Sequence, residues 1–168
     1  MVESGVVGLE TLTAGFREAF GRFISLDTST ARFDPPIERA FIPVFDALNW
    51  AVAVDDFLQR EQPAAERWWR EHLHGEVVRA VRFARNRVHH QWARAVTRAA
   101  PGSLAEYDLP IMLDRQRVAV WIWRVKLPEP EQKRYADPDG EQLYRQHLAG
   151  QLVRTTLDRL HGVLMAVD

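Results

Sequence analysis

Residues 41–54, FIPVFDALNWAVAV, constrain the fold more than any other stretch of this 168-residue chain. Wound as a helix, they are apolar almost all round. A helix of that kind is stable only with neighbours on most of its sides, so it belongs at the centre of a helical assembly. Asp34 before Pro35 supplies an N-cap followed by proline at the first helical position, and the helix reads from there to about Arg60. Pro43 either kinks it or marks its true start.

The flanking segments supply the neighbours. Leu9, Leu12, Phe16, Phe20 and Phe23 recur at three- and four-residue steps, which predicts a helix over about 6–24. AAERWWREHL reads as a short helix before Gly75. Glu76 to about Arg98 reads as one long helix, stopped by Pro101-Gly102. The period then changes. RVAVWIWRV crowds β-branched and aromatic residues, and Leu109 to Leu113 can pair with it across DRQR as a hairpin. PEPEQKRYADPDG reads as a loop, and a last helical region runs from about Gly140 to the end with a break at Gly150. The expected fold is mainly α, one domain over 1–168, with a small β-hairpin-like insertion near residues 109–125.

Composition narrows the chemistry. With 46% hydrophobic and 27% charged residues the chain should fold as a soluble protein. A net charge of -1 gives no overall field toward nucleic acid or membrane, so attraction for a polyanion has to be local. The absence of cysteine excludes disulfides, thiolate nucleophiles and Cys-based zinc sites. MVESGVVGLETL lacks the basic start and apolar run of a signal peptide, and no stretch is long enough to span a membrane, so the cytoplasm is the expected location. GVVGLE has neither a preceding strand nor the Lys-Ser/Thr ending of a phosphate loop. His72, His74, His89 and His90 have no fixed metal-ligand spacing and no carboxylate in register, so no metal and no cofactor is expected. Trp92 falls on the core stripe of its helix. Trp121 and Trp123 share one face of the β-like segment, where core packing or a dimer contact is favoured over base stacking.

FARNRVHHQW, Phe83 to Trp92, carries the functional signal. At about 100° per residue, Val77, Val81, Ala84, Val88, Trp92 and Ala95 form one apolar stripe. Asn86 and His90 share the roughly opposite face, with Arg79 and Phe83 toward that side; Arg85 and His89 flank the core edge. Six arginines and no acid lie between Arg79 and Arg98. A basic outward face that also presents Phe83 suggests a partner, either a second protomer or an anion such as a phosphodiester. Arginine matches phosphate oxygens with a planar fork. Histidine can move a proton at neutral pH, and asparagine can orient a neighbour without titrating. The same residues also fit an ordinary solvated surface.

Arg85-Asn86-Arg87-Val88-His89-His90 resembles the Arg-Asn-x-x-x-His signature of the HEPN superfamily of small helical proteins. The resemblance implies a HEPN-type helical bundle acting as a metal-independent endoribonuclease, with Arg85, Asn86 and His90 as catalytic residues in a cleft between two protomers. Many such proteins are toxins of toxin–antitoxin pairs or parts of phage-defence systems, so the implied partners are RNA, a second copy and an antitoxin protein. His89 competes with His90, because Arg82-x6-His89 also satisfies the looser Arg-to-His pattern. Arg79, Arg82 and Arg87 are the expected RNA contacts. Asp55 interrupts an apolar side of the central helix. Either it pairs with Arg85 and positions it, or it lies near a solvated helix end. The β-like WIW segment departs from a minimal four-helix HEPN bundle. A non-catalytic helical module that binds RNA, nucleotide or a protein, and a plain dimeric scaffold, are the alternatives.

Overall fold

The computed structural model describes residues 8–27, 37–61, 64, 67, 75–88, 95–99, 120–127, 129 and 136–167. In chain order these form α1 (Leu9–Asp27), α2 (Ile37–Glu61), α3 (Gly75–Val88), β1 (Val96–Ala99), β2 (Val120–Trp123), α4 (Pro138–His147) and α5 (Val153–Val167). The architecture is mainly helical with one small antiparallel two-stranded sheet. Among the described residues no helix is long and apolar enough to cross a membrane.

The apolar repeat of α1 buries Leu12, Phe16, Ala19 and Phe23, chiefly against α2. The two helices approach so closely at Gly15 that a Cβ there would stand 2.5 Å from the Trp50 ring. Arg22 and Asp46 tie them at the surface, 2.7 Å apart. α2 is central as expected. It buries Ala40, Val44, Ala47, Leu48, Ala51, Val52, Val54 and Leu58 and touches α1, α3, α5 and β1. One edge stays open, where Ile42 is exposed beside the half-buried, stacked rings of Phe41 and Phe45. Pro43 sits inside the helix, so it does not mark the start. The expected N-cap Asp34, and most of the short helix expected over 64–73, lie outside the described residues.

The helix expected to run to Arg98 does not do so, because Val96–Ala99 is a β-strand. Valine and threonine at 96 and 97 restrict χ1 and suit a pleated surface better than a helix. The partner of the WIW segment is therefore this strand, in the register Val96 with Trp123 and Ala99 with Val120. The expected partner, Leu109 to Leu113, lies outside the described residues. On its other edge β2 meets the turn between α4 and α5: Trp123 N–H donates to the Gln151 carbonyl at 2.9 Å, and Gly150 N–H donates to the Trp123 carbonyl at 3.1 Å. Gly150 holds φ at 74°, the left-handed conformation that glycine adopts without steric cost. Trp121 and Trp123 are both buried, and Trp123 Nε1 donates to Thr156 Oγ1 on α5 at 2.9 Å. They pack the core.

α4 begins at Asp137, whose carboxylate accepts from Gly140 N–H at 2.9 Å, with Pro138 at the first position. Gly140 leaves no room for a Cβ beside the Phe83 ring, at 2.8 Å. Tyr144, one turn on, packs against Phe83 with ring centroids 6.0 Å apart, and its hydroxyl donates to the Arg124 carbonyl. Burial pushes the Tyr144 phenol well above its ordinary value, outweighing the opposing effect of the Arg124 charge. Because the folded value is raised, this contribution is fully present below about pH 10, the ordinary phenol range, and is lost as pH rises toward the folded value. Tyr144→Phe should therefore lower stability at pH 7 by about 1 kcal/mol, one hydrogen bond. It should also flatten the alkaline fall above about pH 10. Urea titrations of the two chains from neutral to alkaline pH check both.

Candidate functional site

α3 reads GEVVRAVRFARNRV. It packs against α4 on one side and α2 on the other, with α5 beneath. Contact with several helices widens its buried arc beyond a single stripe, to Val77, Val78, Ala80, Val81, Phe83 and Ala84. Phe83 is thus not an outward aromatic. It is 5% exposed and forms the floor against Tyr144 and Gly140. The partner surface inferred from its exposure loses that support. Arg79 and Asn86 are exposed as their spacing predicts, Glu76 is exposed too, and Arg82, Arg85 and Arg87 lie at the borders of the arc.

Those three border arginines have different surroundings. Arg82 extends Nη2 to the Asp55 carboxylate and, at 2.7 Å, to Asp56 Oδ1. Gln59 Nε2 adds a second contact to Asp55, at 3.1 Å. Burial works against the Arg82 charge, but the hydrogen bonds and charges of Asp55 and Asp56 outweigh it and raise its pKa. Asp55, with a side chain 7% exposed, is therefore paired with Arg82 and not with Arg85, nor does it lie in solvent. An arginine neutralised by two carboxylates is ill placed to attract phosphate, so Arg82 acts in the fold.

Arg85 lies one turn further along α3. Its Nε donates to Asn49 Oδ1 of α2 at 3.1 Å, and its Nη1 donates to Asn86 Oδ1 at 3.1 Å. The partners fall in opposite order along the two helices, Asp55 and Asp56 for Arg82 and Asn49 for Arg85, as in an antiparallel pair. Both acceptors of Arg85 are neutral amides. Among the described residues no carboxylate pairs with it. Its fork is held in place and none of the described carboxylates cancels its charge, the arrangement that suits an anion.

Arg87 lies over the Phe83 ring, 5.0 Å from the centroid. It lines a notch with Phe83, Tyr144, Lys126, Glu141 and Arg145 whose volume is about 20 Å³. That is room for roughly one water, so the notch is no small-molecule pocket. Arg145 and Lys126 there are paired with Glu141 and Glu129, the latter at 3.4 Å. Arg98, on β1, stacks over Trp121 at 5.1 Å. Among the described residues the expected basic strip is therefore divided among the exposed Arg79, the partly buried Arg82 ion pair, two arginines over aromatic rings and the amide-held Arg85.

The structure brings Arg85 and Asn86 into contact. His89 and His90 lie outside the described residues, as do His72, His74 and Trp92. Among the described residues no group of three His, Cys, Asp or Glu side chains is placed to hold a metal. Asn49, Asp56 and Gln59 were not anticipated from the sequence. The signal available was their helical register: Asn49 and Asp56 are two turns apart on α2, polar positions within an apolar helix, facing the arginines of α3. The chain matches no protein-family model, no curated protein and no solved structure.

Proposed function

We propose that this chain is a HEPN-type, metal-independent endoribonuclease. The observation that carries the reading is Arg85 held against Asn86, an oriented guanidinium with no carboxylate partner among the described residues, at the start of the Arg-Asn-x-x-x-His motif. In this reading Arg85 binds a non-bridging oxygen of the scissile phosphate and Asn86 orients its fork. His90 takes the proton from the ribose 2'-hydroxyl or returns one to the leaving 5'-oxygen. The 2'-oxygen attacks phosphorus, the bond from phosphorus to the 5'-oxygen breaks, and the products carry a 2',3'-cyclic phosphate and a 5'-hydroxyl. General acid–base work of this kind contributes about 10²- to 10⁴-fold, and phosphate positioning and charge stabilisation by Arg85 add to it. Arg79 and Arg87 remain the auxiliary RNA contacts, and Arg82 is withdrawn from that set. A second copy of the chain completing the cleft, an antitoxin protein as regulator and a cytoplasmic setting belong to the same reading.

The end groups of the cleaved RNA test it. Cyclic phosphate and 5'-hydroxyl ends are expected. Fragments ending in 3'-hydroxyl and 5'-phosphate would require water as nucleophile and would remove the 2'-hydroxyl mechanism.

A further inference from the structure

α2 meets two arginines of α3 with different chemistry. At Arg82 it presents two carboxylates, Asp55 and Asp56. At Arg85 it presents an amide, Asn49, whose Oδ1 accepts from Nε at 3.1 Å. Either group would orient a guanidinium. Only the amide does so without cancelling its charge. The Nε edge is taken by Asn49 and Nη1 by Asn86, so the side chain is fixed from two helix positions on different elements. An arginine ordered on folding does not have to be ordered again when an anion binds, which strengthens that binding.

We propose that Asn49 is a positioning residue of this site: it holds Arg85 oriented for an RNA phosphodiester, with no carboxylate among the described residues paired to the guanidinium. This rests on the ribonuclease reading. Asn49 acts through Arg85 and touches no reacting atom.

Asn49→Asp separates tethering from charge. The aspartate keeps an acceptor for Nε, so the fold and the orientation of Arg85 survive, while the cation is neutralised as Arg82 already is. Binding is measured with a labelled single-stranded RNA across a salt series, in chains also carrying His90→Ala to prevent turnover. Asn49→Asp should keep or raise the thermal midpoint. Its RNA affinity should fall about tenfold, the lower range for a hydrogen bond to a charged group. The slope of log affinity against log salt should shrink by about 0.7, the loss of one phosphate contact on a single strand. Arg85→Ala should shrink the slope equally. Gln142→Glu, the same charge change at an exposed position on α4, should leave both quantities unchanged. In the free protein, the Arg85 Nε–H resonance should exchange slowly with solvent and lose that protection in Asn49→Ala.

Native-like affinity and salt slope in Asn49→Asp, with Arg85→Ala defective, would overturn the role of Asn49 and leave the ribonuclease reading standing. A rapidly exchanging Arg85 Nε–H in the native chain would overturn the tether in the same way. A native chain with no affinity for RNA would instead overturn the ribonuclease reading, and this inference with it.

Discussion

Arg82→Ala should destabilise the fold by roughly 3 kcal/mol, the lower range for removing one partner of a buried ion pair. The cost falls on Asp55. Its side chain is 7% exposed, and without Arg82 it keeps only the Gln59 amide among the contacts described above. Asp56, 45% exposed, loses little because water replaces the guanidinium. Arg82 itself is 31% exposed, which holds the effect at the lower end of that range. Arg82→Ala with Asp55→Ala should be more stable than Arg82→Ala alone, since the double variant buries no unpaired charge. Arg85→Ala, whose acceptors are neutral and partly open to solvent, should cost only about 1 kcal/mol. Urea denaturation of the four chains decides the matter. Similar small losses at positions 82 and 85 would mean that the Asp55 pair is not the anchor between α2 and α3.

Catalysis should show the opposite ranking. His90→Ala is expected to lower RNA cleavage by about 10²- to 10⁴-fold, the usual worth of a general acid or base. Arg85→Ala should remove it as well, and Arg85→Lys should not restore it. An ammonium keeps the charge but cannot grip Asn49 and a phosphate oxygen together through a planar fork. Arg82→Ala, assayed below its lowered melting point, should retain cleavage, and so should His89→Ala if His90 carries the proton. Thus stability should depend on Arg82 and activity on Arg85, three residues apart on one helix.

Much of the scaffold was legible before the structure. The three- and four-residue steps of α1, the apolar wrap of α2 and the β-branched cluster of β2 each state a period that packing then respects. The Asp-Pro start of α4 carries the same signal as the Asp34-Pro35 pair, two residues before the start read at Gly140. What periodicity cannot tell is how many neighbours a helix will have. A single stripe places Phe83 outside. A helix packed against both α2 and α4 needs a wider buried arc, and Phe83 falls within it. The core-edge position of Arg85 made it the expected partner of Asp55 and missed Arg82, which lies one turn away on α3 and also borders α2. The end of α3 was hidden because the residues from Gln91 to Arg98 keep a helix-compatible spacing while Val96 and Thr97 favour a strand. Asn49 went unnoticed because one amide in an apolar helix signals nothing until the residue facing it is known.

The most direct test of the account is cleavage of a mixed RNA pool in EDTA, comparing the native chain with His90→Ala. The account predicts cleavage by the native chain, undiminished by the chelator, and its loss in the variant. Native cleavage abolished by EDTA, or equal cleavage by both chains, would contradict it.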